Sequence, residues 1–161
     1  MSTSRSFTPE ERRIWAPLTA VLELLPRQID AQLQRDAALT HFDYVTLSML
    51  ALAEGRRMRM SALASGVNAT LSRLSHAISR LEARGYVLRE PAADDARAID
   101  VLLTPEGHRT VIRATPDHVA NVREFVLDAL DAEQREQLSA ITQAILARLD
   151  PDQRMLASRM R

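Results

Sequence analysis

The chain has 161 residues, a formal net charge of zero, 46% hydrophobic residues and no cysteine. That is enough for one globular domain with a real core, and it excludes disulfides, thiol nucleophiles and thiolate metal sites. All 21 basic residues are arginine, which also excludes Schiff-base and lysine general-base chemistry.

The zero net charge hides a segregation. Residues 1–54 carry five Arg against seven acids, residues 55–97 eight Arg against four, and residues 98–161 eight Arg against ten. The positive charge therefore sits in the middle, and a local patch suffices to attract phosphates because screening limits each charge to about 10 Å. No run of about 18 apolar residues occurs, so no membrane span is predicted. The N-terminal MSTSRSFTPEERR lacks the apolar core of a signal peptide. The expected location is the cytoplasm.

The first helix is predicted from Thr8-Pro9-Glu10-Glu11, which supplies a cap, a Pro at the first helical position and a capping box. Ile14, Leu18, Val21, Leu22, Leu25, Ile29 and Leu33 recur at helical spacing to about Asp36. Pro17 and Pro26 interrupt the pattern, so a kinked or two-piece helix is expected. Thr40 and Asp43 form the capping box of a second helix through Tyr44, Leu47, Leu50 and Leu52 to Gly55. Met58-Arg59-Met60 reads as a short strand, Ser61 to Ser65 as a short helix and Gly66-Val67 as a turn. Asn68 is expected to cap the next helix, which runs to Gly85.

On that helix Leu71, Leu74, Ile78 and Leu81 share one face, expected to be buried. Ser72, Arg73, His76, Ser79 and Arg80 share the other, with residue types that suit DNA: Arg donates in a fork to guanine or phosphate, while Ser and His make single hydrogen bonds. Tyr86 to Glu90 and Ala98 to Leu103 are predicted strands around a turn at Pro91-Ala92-Ala93-Asp94-Asp95. Thr104-Pro105 opens a further helix, which Pro116 is expected to break or kink and Asp117 to restart through Leu130. Asp131 and Gln134 cap a last helix carrying Leu138, Ile141, Ile145 and Leu149. Pro151 stops it, and a loose tail is expected beyond.

A short helix, a turn, a polar-faced helix and a basic-tipped hairpin in this order describe a winged helix-turn-helix. The candidate DNA contacts are Asn68, Thr70, Ser72, Arg73, His76 and Arg80 from the second helix of the motif. Arg89, Asp95 and Arg97 join them from the hairpin. Arg97 sits where a wing reaches a minor groove, with Asp95 expected to orient its guanidinium. Taken alone, each feature also fits a solvated amphipathic helix and an exposed ion pair.

The segment resembles the DNA-binding core of the MarR family of bacterial regulators. The shared marks are Met60-Ser61-Ala62-Leu63-Ala64, Ser72-Arg73-Leu74, Arg80-Leu81-Glu82-Ala83-Arg84-Gly85-Tyr86-Val87, Asp95-Ala96-Arg97 and Leu103-Thr104-Pro105-Glu106-Gly107. The resemblance implies an obligate homodimer on a palindromic operator, dimer contacts from the terminal helices, and Arg97 as the wing arginine. The predicted fold class is mostly α (α+β): a winged helix-turn-helix at 40–104, flanked by dimerisation helices at 1–39 and 105–161. Family members often release DNA on binding a small aromatic or anionic compound, for which Trp15, His41, Phe42 and Tyr44 are the candidate residues.

The apolar faces of the terminal helices argue for a dimer independently, since little else in the chain can cover them. His41, His76, His108 and His118 show no metal-ligand spacing, so neither a metal nor a cofactor is expected. No nucleophile elbow, phosphate loop or zinc-hydrolase motif is present, so the chain is not read as an enzyme. A winged helix that binds protein instead of DNA is the alternative.

Overall fold

The computed structural model describes residues 6–95 and 97–159. Residues 1–5, and Ala96 of the Asp95-Ala96-Arg97 mark, lie outside the described residues. The described chain is mainly helical with one three-stranded antiparallel sheet, the fold class expected from sequence.

Helix α1 runs from Pro9 to Ala37, and both halves of its Thr8–Glu11 capping box form. It is continuous through Pro17 and Pro26, so the two-piece expectation fails. A proline displaces the carbonyl four residues earlier. Here those carbonyls belong to Arg13 and Leu22, both exposed, where water can take the freed acceptor. Helix α5 (Pro105–Val122) passes Pro116 in the same way, with exposed Ile112 four residues before it. The expected break there is absent, and the irregularity falls later, in a π turn at Arg123–Leu127.

Helix α2 (His41–Leu52) starts on the predicted Thr40–Asp43 box. A tight turn at Glu54–Arg56 leads to β1 (Arg57–Arg59), then α3 (Met60–Gly66) and α4 (Leu71–Ala83). Strands β2 (Val87–Pro91) and β3 (Ile99–Leu103) form the hairpin, with Arg89 opposite Val101, and β1 adds to the far side of β3. Leu47, Leu50, Leu63, Leu74, Ile78, Leu81, Val87 and Val101 are all essentially inaccessible and form one core, closed from α1 by Leu33.

Helix α4 ends with Gly85 at φ +73°, where a side chain is strained. The Gly85 and Tyr86 amides return to the Glu82 and Leu81 carbonyls, a Schellman closure. The start of α5 docks onto this corner. The Thr104 hydroxyl donates to the Gly85 carbonyl at 2.7 Å and accepts from the Gly107 amide at 3.0 Å. A Cβ on Gly107 would lie 2.1 Å from the Tyr86 carbonyl oxygen. Leu103-Thr104-Pro105-Glu106-Gly107 is therefore a packing joint.

Helix α6 (Ala132–Leu149) has its predicted Asp131–Gln134 box but buries none of its residues. The tail beyond Pro151, expected loose, instead forms a short helix, α7 (Leu156–Arg159). Asp150 organises it, accepting from the Arg154 and Met155 amides and the Ser158 hydroxyl; these bonds hold the Asp150 carboxyl below its usual range, that from Ser158 most. Leu156 packs against the core.

Candidate nucleic-acid interface and the cavity beside it

The turn between α3 and α4 departs from expectation at two residues. Asn68 does not cap α4: it adopts φ +50° inside the turn, a conformation that asparagine tolerates better than most residues. Thr70 is the cap, its hydroxyl accepting from the Arg73 amide at 3.2 Å. Leu71, expected on the buried face, is 55% exposed, because as the first helical residue it lies beyond the edge of the core. Leu74, Ala77, Ile78 and Leu81 make the buried face.

Ser72, His76 and Ser79 point furthest from the core, and all are exposed. Arg73 and Arg80 lie on one flank, facing the start of α2. The Arg73 guanidinium sits 4.4 Å above the Phe42 ring, and Arg80 pairs with the buried Asp43 carboxylate at 3.0 Å. On the opposite flank Arg89 of β2 is tied to α4 through Glu82 at 2.5 Å and Ser79 at 3.3 Å. Hydrogen bonding from Arg89 holds the Glu82 carboxyl below its ordinary range.

The hairpin tip carries Arg97, exposed and without an ion pair among the described residues. Asp95 accepts from the Arg97 backbone amide at 3.0 Å. It shapes the turn and does not hold the guanidinium as expected, since a carboxylate two residues earlier meets the amide first. Ion pairing thins the basic patch elsewhere. Arg57 meets Glu90 at 2.6 Å and Asp100 at 3.6 Å, and Arg59 meets Asp94 and Asp100. Of the eight arginines in residues 55–97, only Arg56, Arg73, Arg84 and Arg97 have no carboxylate partner among the described residues. Arg84 spends its donors on the Ala38 carbonyl and the Tyr86 hydroxyl. Charge counting gave no means of sorting these arginines, because their partners come from other elements.

The four candidate ligand residues do not converge. His41 and Phe42 line a cleft of about 1030 Å³ between α1, the start of α2, the α3–α4 turn, the Arg73 flank of α4 and Leu156. Trp15 stacks on Phe7, ring centroids 6.3 Å apart, and is exposed near the start of α1. Tyr44 is buried against His118 at 4.6 Å, and its hydroxyl bonds with Thr115 at 3.1 Å. His41 lies 6.3 Å from His118. Burial holds both imidazoles below their usual range; nearby Asp30 opposes this at His41, and His41 adds to it at His118. Among the described residues no group of three or more His, Cys, Asp or Glu meets to hold a metal ion.

The chain is 40% identical to Sco3205 of Streptomyces coelicolor, a MarR family transcriptional regulator whose crystal structure contains DNA. The match covers 94% of each chain with a TM-score of 0.88. The chain belongs to the MarR family. AbsC, a second MarR family regulator of Streptomyces coelicolor, is 37% identical over 91% of this chain and 98% of its own, with a TM-score of 0.85. The transcriptional repressor MprA of Escherichia coli is 26% identical over 107 residues, a match spanning 66% of this chain and 60% of that protein. No protein-family model matches the chain. The protein is a MarR-family transcriptional regulator, and the helix-turn-helix and hairpin described above are its winged helix.

Proposed function

We propose that this MarR-family regulator is a homodimeric repressor that binds a palindromic operator and is released by a small aromatic or anionic ligand. The observation that carries the DNA-binding part is the match to Sco3205 along nearly the whole chain, a relative crystallised with DNA. In this reading Thr70, Ser72, Arg73 and His76 approach base edges and nearby phosphates. Arg80, Arg89 and Asn68 border the backbone, and Arg97, with Asp95 shaping its turn, enters the minor groove. Regulators of this kind act in the cytoplasm, associated with the nucleoid when bound to DNA.

The dimer is supported by what α1 and α6 leave uncovered. Ile14, Leu22 and Leu24 of α1 and Ile141 and Leu149 of α6 are more than half exposed, and large apolar side chains left uncovered in such number are of the kind that marks an interface. Two α4 helices about 34 Å apart would then meet successive major grooves. The ligand reading is supported by the cleft, which brings His41 and Phe42 together with Arg73, His76 and Arg80. A flat anion stacked on Phe42 would compete with Arg73 for the same ring face.

Titration with a random duplex across salt concentrations tests the core of this reading. A DNA binder shows affinity at low salt that falls steeply as salt rises. No measurable binding at low salt would sink it and favour a winged helix that binds protein. Selection from a random-sequence pool then tests the operator, which should emerge as a palindrome.

A further inference from the structure

We infer that Phe42 is a positioning residue for DNA recognition: its ring holds the Arg73 guanidinium in the orientation that meets the duplex. This rests on the reading of Arg73 as a DNA contact. The start of α2, which carries the Phe42 ring, is tethered on three sides. The His41 amide donates to Asp30 of α1 at 2.8 Å. Thr40 and Asp43 close the capping box at 2.9 and 3.2 Å. Asp43 also pairs with Arg80 of α4 at 3.0 Å. The start of α2 is thus pinned to both α1 and α4, with the ring between them, half-buried against the core.

Comparison of the arginines around the site shows why this contact is different. Arg80 and Arg89 are oriented by carboxylates, which occupy donors and cancel charge. Arg84 also lies over a ring, Tyr86 at 4.6 Å, but gives hydrogen bonds to the Ala38 carbonyl and the Tyr86 hydroxyl. Arg97 has no such support. Arg73 alone among these five is oriented with its guanidinium donors unspent on any described residue. A ring beneath the guanidinium is no hydrogen-bond acceptor of the carboxylate kind, so the contact at 4.4 Å leaves the guanidinium N–H groups available to DNA. An ordered arginine loses less side-chain entropy on binding, so the ring contributes affinity without touching DNA.

A double-mutant cycle separates positioning from mere packing. The probe is a duplex selected from a random-sequence pool with the parent protein, at one fixed salt concentration. Arg73→Ala is expected to weaken binding roughly five- to hundredfold. Phe42→Leu, which keeps an apolar side chain under the site, should cost about two- to fivefold in the parent and nothing further in the Arg73→Ala background. Phe42→Tyr, which restores a ring face, should bind like the parent. Thermal melts of each variant confirm that the lobe is folded. An equal loss from Phe42→Leu in both backgrounds, or no loss in the parent, overturns the positioning role. Parent-like binding by Arg73→Ala overturns the underlying contact assignment, and Phe42 loses its role with it.

Discussion

The winged-helix region and the terminal helices solve the burial problem differently. From Thr40 to Leu103 the apolar residues meet within the chain, and thirteen of the seventeen buried core residues lie there. Helix α1 buries only Gln32 and Leu33 of its 29 residues, and α6 buries none of its 18. Both terminal helices are long and well capped, so capping and propensity suffice to define them locally. What α6 lacks, and α1 over most of its length, is a covering surface within the chain. Charge divides within the lobe: four of the central arginines find carboxylates there, while Arg73 and Arg97 have none among the described residues.

Four perturbations would break or sharpen this contrast. The largest effect is expected from Ile141→Glu combined with Ile145→Glu on α6. If that face is buried in the dimer, roughly 3–6 kcal/mol of apolar burial is lost between chains, and sedimentation should show a monomer. A dimer surviving both changes would move the interface elsewhere. Leu47→Ala, in the centre of the lobe, should cost about 2–5 kcal/mol in denaturant unfolding while leaving the association constant of folded chains unchanged.

Third, Arg73→Ala should weaken specific DNA binding by about 1–3 kcal/mol. Arg80→Ala should cost less, because part of its charge is already answered by Asp43. The reverse order would mean that the ion pair opens when DNA binds.

The smallest effect concerns pH. Burial lowers the His41 and His118 imidazoles below their usual range in the folded protein, so the unfolded chain binds more protons below about pH 6.5. Stability should therefore fall as pH drops from about 6.5 toward the lower folded values. His118→Gln should flatten that slope in urea titrations at several pH values. Glu82 and Glu106, lowered chiefly by hydrogen bonds from Arg89 and Arg109, lose their contribution only at more acid pH, below about 4.5, so the two windows separate.

Much of the fold was legible along the chain. Thr8, Thr40, Thr104 and Asp131 each cap where their local pattern says, because a cap needs only a side chain and an amide three residues away. The outward polar face of α4 was legible for the same reason. The prolines do not divide their helices, since the cost of an internal proline depends on what surrounds the freed carbonyl, and Arg13, Leu22 and Ile112 are exposed in the chain. The site was legible in residue type and less so in role. Trp15 and Tyr44 look like neighbours of His41 and Phe42 by composition, yet Trp15 stays with Phe7 near the start of α1 and Tyr44 turns from α2 onto His118 and Thr115 of α5.

The sequence by itself determined the long helices, where α1, α2, α5 and α6 start, which face of α4 is polar and where positive charge concentrates. These follow from contacts within a few residues. Only the tertiary structure decided which arginines are spent and which are free. It alone placed Phe42 under Arg73, docked the C-terminal tail beside α4 and left α6 without cover. Those outcomes depend on pairs far apart in the chain, such as Asp43 with Arg80 and Arg57 with Glu90, and no local pattern encodes such pairs.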